Sequence, residues 1–281
     1  MKKVLAISGG VDSAVLLFMF RDDPDVVVAH FDHGTRASSA EDARFVETLA
    51  TKYGLPFYLG RAELGSGASE EQARISRYEY LERLASELDG EIYTAHHLDD
   101  LAESMAINLV RGTGWRGLVP FGNNAIRRPF TDIKPMNKAD ILRYATEHNL
   151  SFRQDPTNTE DRYLRNRLRE KLRFFDNGKK SELTKIYHRT YNLRDEVDDI
   201  VCEILQDITS KNGEIERKLF YDLDNNIALE ILRAALLRAG VSATRPQILD
   251  FLNAIKTYHP GKYFNLPGDK LVKINKHNFV I

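Results

Sequence analysis

Short apolar runs alternate with longer stretches of helical periodicity through the first half of the chain. Val4 to Ile7 is followed, across a Gly-Gly pair, by Ala14 to Phe20. Val26 to Phe31 is then a nearly continuous β-branched run of the kind buried on both faces of a parallel sheet. A helix is predicted from Ser39 to Tyr53, capped by Ser39, with Glu41 and Asp42 in its first turn and Phe45, Val46 and Leu49 as its apolar stripe. Pro56 to Leu59 reads as a third strand. Ser69-Glu70-Glu71-Gln72 is a capping box that opens a helix to about Leu88, with Tyr78, Leu81 and Leu84 toward the core. Glu91 to Ala95 reads as a fourth strand, with a new helix starting in the run from His96 to Glu103. Lys138 to Asn149 fits an amphipathic helix with Ile141, Leu142 and Tyr144 inward. This alternation predicts an α/β fold: a doubly wound, mostly parallel sheet.

The pattern changes after Phe174 to Lys180, which contains Asp176-Asn177-Gly178. Two domains are therefore expected, 1–175 and 181–281. The second begins with a long helix from Ser181 to Thr209, followed by one or two helices in Leu219 to Ala239 and another from Arg245 to about Thr257. From Lys262 the apolar residues Tyr263, Leu266, Leu271, Val272, Ile274 and Phe279, punctuated by turn residues, describe a small β-meander. The second domain is thus helical and ends in a little sheet.

With 281 residues, 42% hydrophobic and 29% charged, the composition is that of a soluble globular protein, and a net charge of −1 gives no global attraction to nucleic acid. Any RNA contact must come from a local patch. The single cysteine, Cys202, excludes a disulfide framework or a CxxC site, and is expected as a small buried apolar residue. Four apolar residues after Met1-Lys2-Lys3 are too few for a signal peptide, and no run approaches the ~18 residues of a membrane span. A cytoplasmic protein without membrane attachment is expected.

The candidate chemistry gathers at predicted strand ends. Ser8-Gly9-Gly10-Val11-Asp12-Ser13 lies between a strand and a helix, where glycines let the backbone approach a ligand and the helix start offers unpaired N–H groups. This strand-to-helix turn carries neither GxxxxGK[ST] nor GxGxxG. Asp32 closes the second strand. Arg74 and Arg77 lie three apart on one helix face, on an anionic ligand or in solvent. Asp100 and Glu103 also share a helix face, either as first-turn caps or as a site for a cation. The neighbouring histidines match no zinc spacing, and no protein-held metal site is expected. Arg111 and Arg116 sit among glycines in Arg111 to Gly117, a mobile phosphate-contacting loop or a plain connection with Trp115 inward. Arg162, Arg165, Asn166 and Arg169 belong to a run with five arginines and a lysine from Arg162 to Arg173, a backbone clamp for RNA or a solvated face.

Taken in order, Ser8 to Ser13, His-Phe-Asp-His-Gly-Thr-Arg at 30–36, Ala-His-His-x-x-Asp-x-x-Glu at 95–103 and the Asp-x-x-Asn…Arg-Asn-x-x-Arg stretch at 155–169 resemble the tRNA(Ile)-lysidine synthetases, within the N-type ATP pyrophosphatases. The resemblance extends over nearly the whole chain, although longer members carry a further C-terminal domain. It implies ligation of free L-lysine to C2 of the wobble cytidine in tRNA(Ile) with a CAU anticodon, through an adenylated base, with release of AMP and pyrophosphate. ATP and Mg²⁺ are implied. Ser8, Gly9, Gly10, Val11, Asp12 and Ser13 would bind ATP, with Asp12 orienting the loop and Ser13 donating to phosphate. Asp32, Arg74, Asp100 and Glu103 would be catalytic, and Asp100 and Glu103 would hold lysine. Arg111, Arg116, Arg162, Arg165, Asn166 and Arg169 would contact tRNA, and a homodimer is left open. Another adenylating or amide-forming enzyme of the fold, or a non-catalytic RNA- or nucleotide-binding module, are the alternatives.

Overall fold

The computed structural model describes residues 1–34, 39–62, 69–122, 125–153, 167–168, 171–172 and 177–281. These form two compact units: Met1–Ile107 with Pro120–Lys185, and Asn108–Val119 with Ile186–Ile281.

The first unit is built on β1 (Lys2–Ala6), β2 (Val26–Asp32), β3 (Phe57–Arg61), β4 (Gly90–Tyr93) and β5 (Ile126–Arg127). Its sheet order is β3-β2-β1-β4-β5, and every neighbouring pair is parallel. The two-residue period of β1 divides its side chains between layers. Leu5 and Ile7 join the core beneath α1 (Val11–Phe20), α2 (Ser39–Lys52) and α6 (Lys138–Glu147), whereas Val4 packs with Tyr80, Leu81 and Leu84 of α3 (Glu70–Glu87). Helices therefore cover both faces. The chain passes β1, then β2 and β3 to one side, and returns for β4 and β5 on the other, so the carboxyl ends of β1 and β4 flank a topological switch point. Both glycine loop and acidic cluster emerge there, the latter entering α4 (Leu98–Val110). The short helix α5 (Pro129–Asp132) lies between β5 and α6.

The second unit centres on Phe220, Phe251 and Phe279, all fully buried. It carries most of α7 (Asn177–Ile208), then α8 (Leu219–Asp222), α9 (Asn225–Arg238) and α10 (Arg245–Thr257). The expected meander is β7 (Lys262–Leu266), β8 (Lys270–Ile274) and β9 (Asn278–Phe279), all antiparallel. A strand that periodicity does not announce, β6 (Ile215–Glu216), pairs with β9 and completes four strands. Arg217 follows it, buried, and its guanidinium donates to the carbonyls of Ile255, Tyr258 and Asn275. One cation thereby ties the end of α10 to the turn before β9 by satisfying three main-chain acceptors.

Two expectations fail. Cys202 is exposed, on the outer side of α7. Leu142 is exposed as well, because the face of α6 that meets the core carries Ile141, Tyr144 and Ala145. Among the described residues no helix is long and apolar enough to cross a membrane.

Candidate active site

Gly9 has φ of 90°, a conformation glycine adopts without strain, and this turns the chain sharply out of β1. Gly10, at φ −73°, is the N-cap of α1, and no side chain caps that helix end. The loop is braced from within. The buried Ser13 Oγ accepts from the N–H groups of Ser8 and Gly9, both at 3.2 Å, and donates to the Gly10 carbonyl at 2.9 Å. The Ser13 hydroxyl thus holds Ser8, Gly9 and Gly10 together at the start of α1. Gly10 N–H makes only a long contact, 3.4 Å, to Ser8 Oγ.

On the β4 side of the switch point, Asp12 meets residues that lie far along the sequence. Both of its carboxylate oxygens accept from Lys138 Nζ, at 2.6 and 2.8 Å. The Lys138 N–H donates to Asp99 Oδ2 at 2.7 Å. His97 is buried among the same acids, its Nε2 3.8 Å from Asp12 and its Nδ1 3.6 Å from Asp100. Asp100 Oδ2 accepts the His97 N–H at 3.0 Å, closing the first turn of α4. Burial pushes the Asp100 carboxyl up from the ordinary range, opposed by His97 and reinforced by the negative charges of Asp12 and Glu103. Glu103 is itself buried, 6% exposed. Asp100 is therefore a cap and also part of an acidic recess.

On the β2 side the loop borders a cavity of about 260 Å³, whose lining includes Ser8, Asp32, His33, Asp42 and Arg77. Asp32 is largely buried, accepts the Gly34 N–H at 2.9 Å and has Arg61 at 3.9 Å. The His33 ring packs edge-on against Phe31, and its buried Nδ1 has no hydrogen-bond partner among the described residues. Burial and the Arg77 charge lower its pKa. Arg74 lies outside this lining, exposed, its guanidinium 4.9 Å from the Tyr78 ring centroid. His96 is held neutral, its pKa lowered to about 3 by burial and the nearby Arg128, Arg77 and Arg74 charges, with Thr94 Oγ1 at 2.8 Å from Nδ1. Among the described residues no three of His, Cys, Asp and Glu gather as a metal cage.

The arginines expected on RNA divide. Arg111 is exposed just beyond α4. Arg116, in the 3₁₀ turn Trp115–Leu118, donates to both Asp198 oxygens and to Glu230 Oε2, while Trp115 Nε1 donates to Glu230 Oε1. Its guanidinium serves an internal network rather than standing open to phosphate. Arg162, Arg165, Asn166 and Arg169 lie outside the described residues. Lys138 and Arg153, which contact the loop residues Asp12 and Gly9, were not among the candidates. Both lie in segments that look ordinary in sequence, and only the fold brings them here.

Residues 1–174 match the family of the PP-loop domain. Among curated proteins, the bifunctional protein TilS/HprT of Listeria monocytogenes is 31% identical, over 95% of this chain and 45% of its own length. The tRNA(Ile)-lysidine synthase of Persephonella marina is 31% identical over 90% of this chain and 59% of its own. That of Staphylococcus aureus is 26% identical over 83% and 59%. The chain spans about half the length of the curated relatives it matches. Among solved structures, the U34-tRNA thiolase NcsA of Methanococcus maripaludis shares the fold, with a TM-score of 0.56 at 17% identity, over 68% of this chain and 73% of the other.

Proposed function

The chain belongs to the PP-loop domain family, and from that premise we propose that it uses ATP to join free lysine to C2 of the wobble cytidine in tRNA(Ile) with a CAU anticodon. The observation that carries the ATP site is the outward Gly10 N–H at the uncapped start of α1, at the switch point of a parallel sheet. Backbone donors and a positive helix end there suit phosphate. The cavity beside β2 suits the nucleoside, with the Asp32 carboxylate and the His33 ring in its wall. The names of the curated relatives support lysidine as the product.

In the first step the C2 oxygen of the base attacks the α-phosphorus, and the bond to the β-phosphate oxygen breaks. Pyrophosphate leaves with that electron pair. In the second step the neutral ε-amine attacks C2, AMP leaves with the bridging oxygen, and the amine proton passes to a carboxylate. Asp100 and Glu103 hold the incoming ammonium, since buried carboxylates stabilise a cation that apolar groups would not. The raised pKa of Asp100 equips it to take that proton. Mg²⁺, when bound, offsets charge on the leaving pyrophosphate. Asp12, a hard oxygen donor beside the loop, is the residue that would hold it. Arg74 is assigned to developing charge once tRNA is bound. Arg111, with Arg162, Arg165, Asn166 and Arg169, is assigned to the tRNA backbone, together with the domain at 181–281. Arg116 is reassigned to structure.

Mass spectrometry of nucleosides from tRNA(Ile) incubated with the protein, ATP and isotopically labelled lysine tests the reading. A cytidine heavier by one labelled lysine residue is expected. Unmodified cytidine, with ATP and tRNA both bound, would overturn it.

A further inference from the structure

Lys138 has a fixed root and a loosely held head. Its N–H is bound by Asp99, and the reciprocal capping bonds of Asn137 and Asp140 set the first turn of α6 around it. Its ammonium, by contrast, rests on Asp12 in a pair whose side chains remain 43% and 32% exposed. Ion pairs this open to solvent contribute little and exchange partners readily. The four-carbon stem allows the head to move while the helix start stays in place.

The surroundings say where it would go. Asp12 is in the first turn of α1, directly after the Gly10 N–H left open for an anion. The nucleoside-sized cavity lies toward β2, with Asp32, His33 and Asp42 in its wall, whereas Lys138 lies toward β4, with His97 and Asp99. A phosphate chain that leaves the cavity and crosses the loop brings its distal end to Lys138. We propose that Lys138 is a phosphate-contacting arm: its ammonium waits on Asp12 in the free protein and transfers to the terminal phosphates when ATP binds. A triphosphate carries more charge than one carboxylate and accepts from the ammonium's three donors at once. The transfer leaves Asp12 open beside the phosphates.

This inference rests on the loop being an ATP site, and its test separates the two. Calorimetric titration of the full chain with ATP and with AMP is done first on the unaltered protein; failure to bind ATP would defeat the phosphate-site reading and the arm with it. With ATP binding in hand, Lys138→Met is expected to weaken ATP about tenfold or more and to leave AMP within about twofold, without change in melting temperature. Lys138→Arg should recover part of the loss. Undiminished ATP affinity in Lys138→Met overturns the proposal. So does an equal loss for ATP and AMP, because Lys138 would then act only by positioning Asp12 and the loop.

Discussion

The main-chain N–H of Arg153 donates to the carbonyl of Gly9 at 2.9 Å. A peptide unit is planar and trans, so holding the Gly9 carbonyl on one side turns the Gly10 N–H of the same unit to the other. The Arg153 guanidinium is itself fixed on Glu41, at 3.1 Å, and on Asp42, at 2.7 Å. Segments before and after the central strands thus aim a single loop donor.

That geometry separates the two glycines. A Cβ on Gly10 meets only Ser8 Oγ, at 3.6 Å, and the φ of −73° suits any residue. Gly10→Val is therefore expected to fold normally and to bind ATP at least about tenfold more weakly, because its side chain fills the space before the N–H. Gly9→Ala should instead cost about 1–2 kcal/mol of stability, from its φ of 90°. Thermal melts and ATP titrations of both variants check the pair. Normal ATP affinity in a folded Gly10→Val protein would remove the loop from the phosphate site.

Much of this was legible in the chain because it is local. The apolar run of β1, the β-branched run of β2 and the capping box at Ser69 are each set by neighbours in sequence, and the strand order puts Asp32 on the β2 side and Asp100 on the β4 side of the glycine loop. What stayed hidden depends on distant partners. Lys138 opens an ordinary amphipathic helix and Arg153 precedes a turn-rich stretch, and nothing near either residue signals Asp12 or Gly9. The strand Ile215–Glu216 is too short to show a period. Arg116 looked like a phosphate ligand among glycines because Asp198 and Glu230 lie far downstream.

The neutral histidines predict a pH dependence of stability. His96 is held at about 3 against an ordinary 6.5, and burial lowers His30 and His33 too. Between those values the unfolded chain binds protons that the folded chain refuses. Stability therefore rises with pH through that window, levels off above 6.5, and for His96 alone has a slope of at most about 1.4 kcal/mol per pH unit. Asp100, raised from 3.8, acts oppositely: its contribution is present below 3.8 and is lost as pH rises through its folded value. Urea unfolding should give a lower free energy at pH 5 than at pH 7, and His96→Gln should shrink the difference. Parallel pH profiles for the two proteins would contradict the neutral His96.

The arginines make a contrast within one protein. Arg116→Ala should lower stability by about 2 kcal/mol, because it strips charged hydrogen bonds from the half-buried Glu230 and Asp198. Its tRNA affinity should keep the salt dependence of the unaltered protein. Replacing Arg165 and Arg169 together by Glu should weaken tRNA binding and reduce the slope of log affinity against log salt, with ATP binding unchanged. Filter binding across a salt series distinguishes them, and an unaltered slope in the double variant would return that segment to the solvent.

Asp100 and Glu103 allow the sharpest division of the reaction. Asp100 accepts the His97 N–H, so a purely structural role predicts that Asp100→Asn costs about 1 kcal/mol and leaves the lysine requirement intact. Glu103 is buried beyond it on α4, and Glu103→Gln keeps its size while removing its charge. If the two carboxylates hold the lysine ammonium, KM for lysine should rise steeply in both variants, by about tenfold or more for each lost charge-assisted contact. Adenylation does not use the amine. Pyrophosphate release dependent on tRNA should accordingly persist in both variants when lysine is omitted, while product formation fails at ordinary lysine concentrations. Loss of both steps in equal measure would mean that the substitutions disturb the loop through Asp12 and His97, and an unchanged lysine KM would leave Asp100 as a helix cap alone.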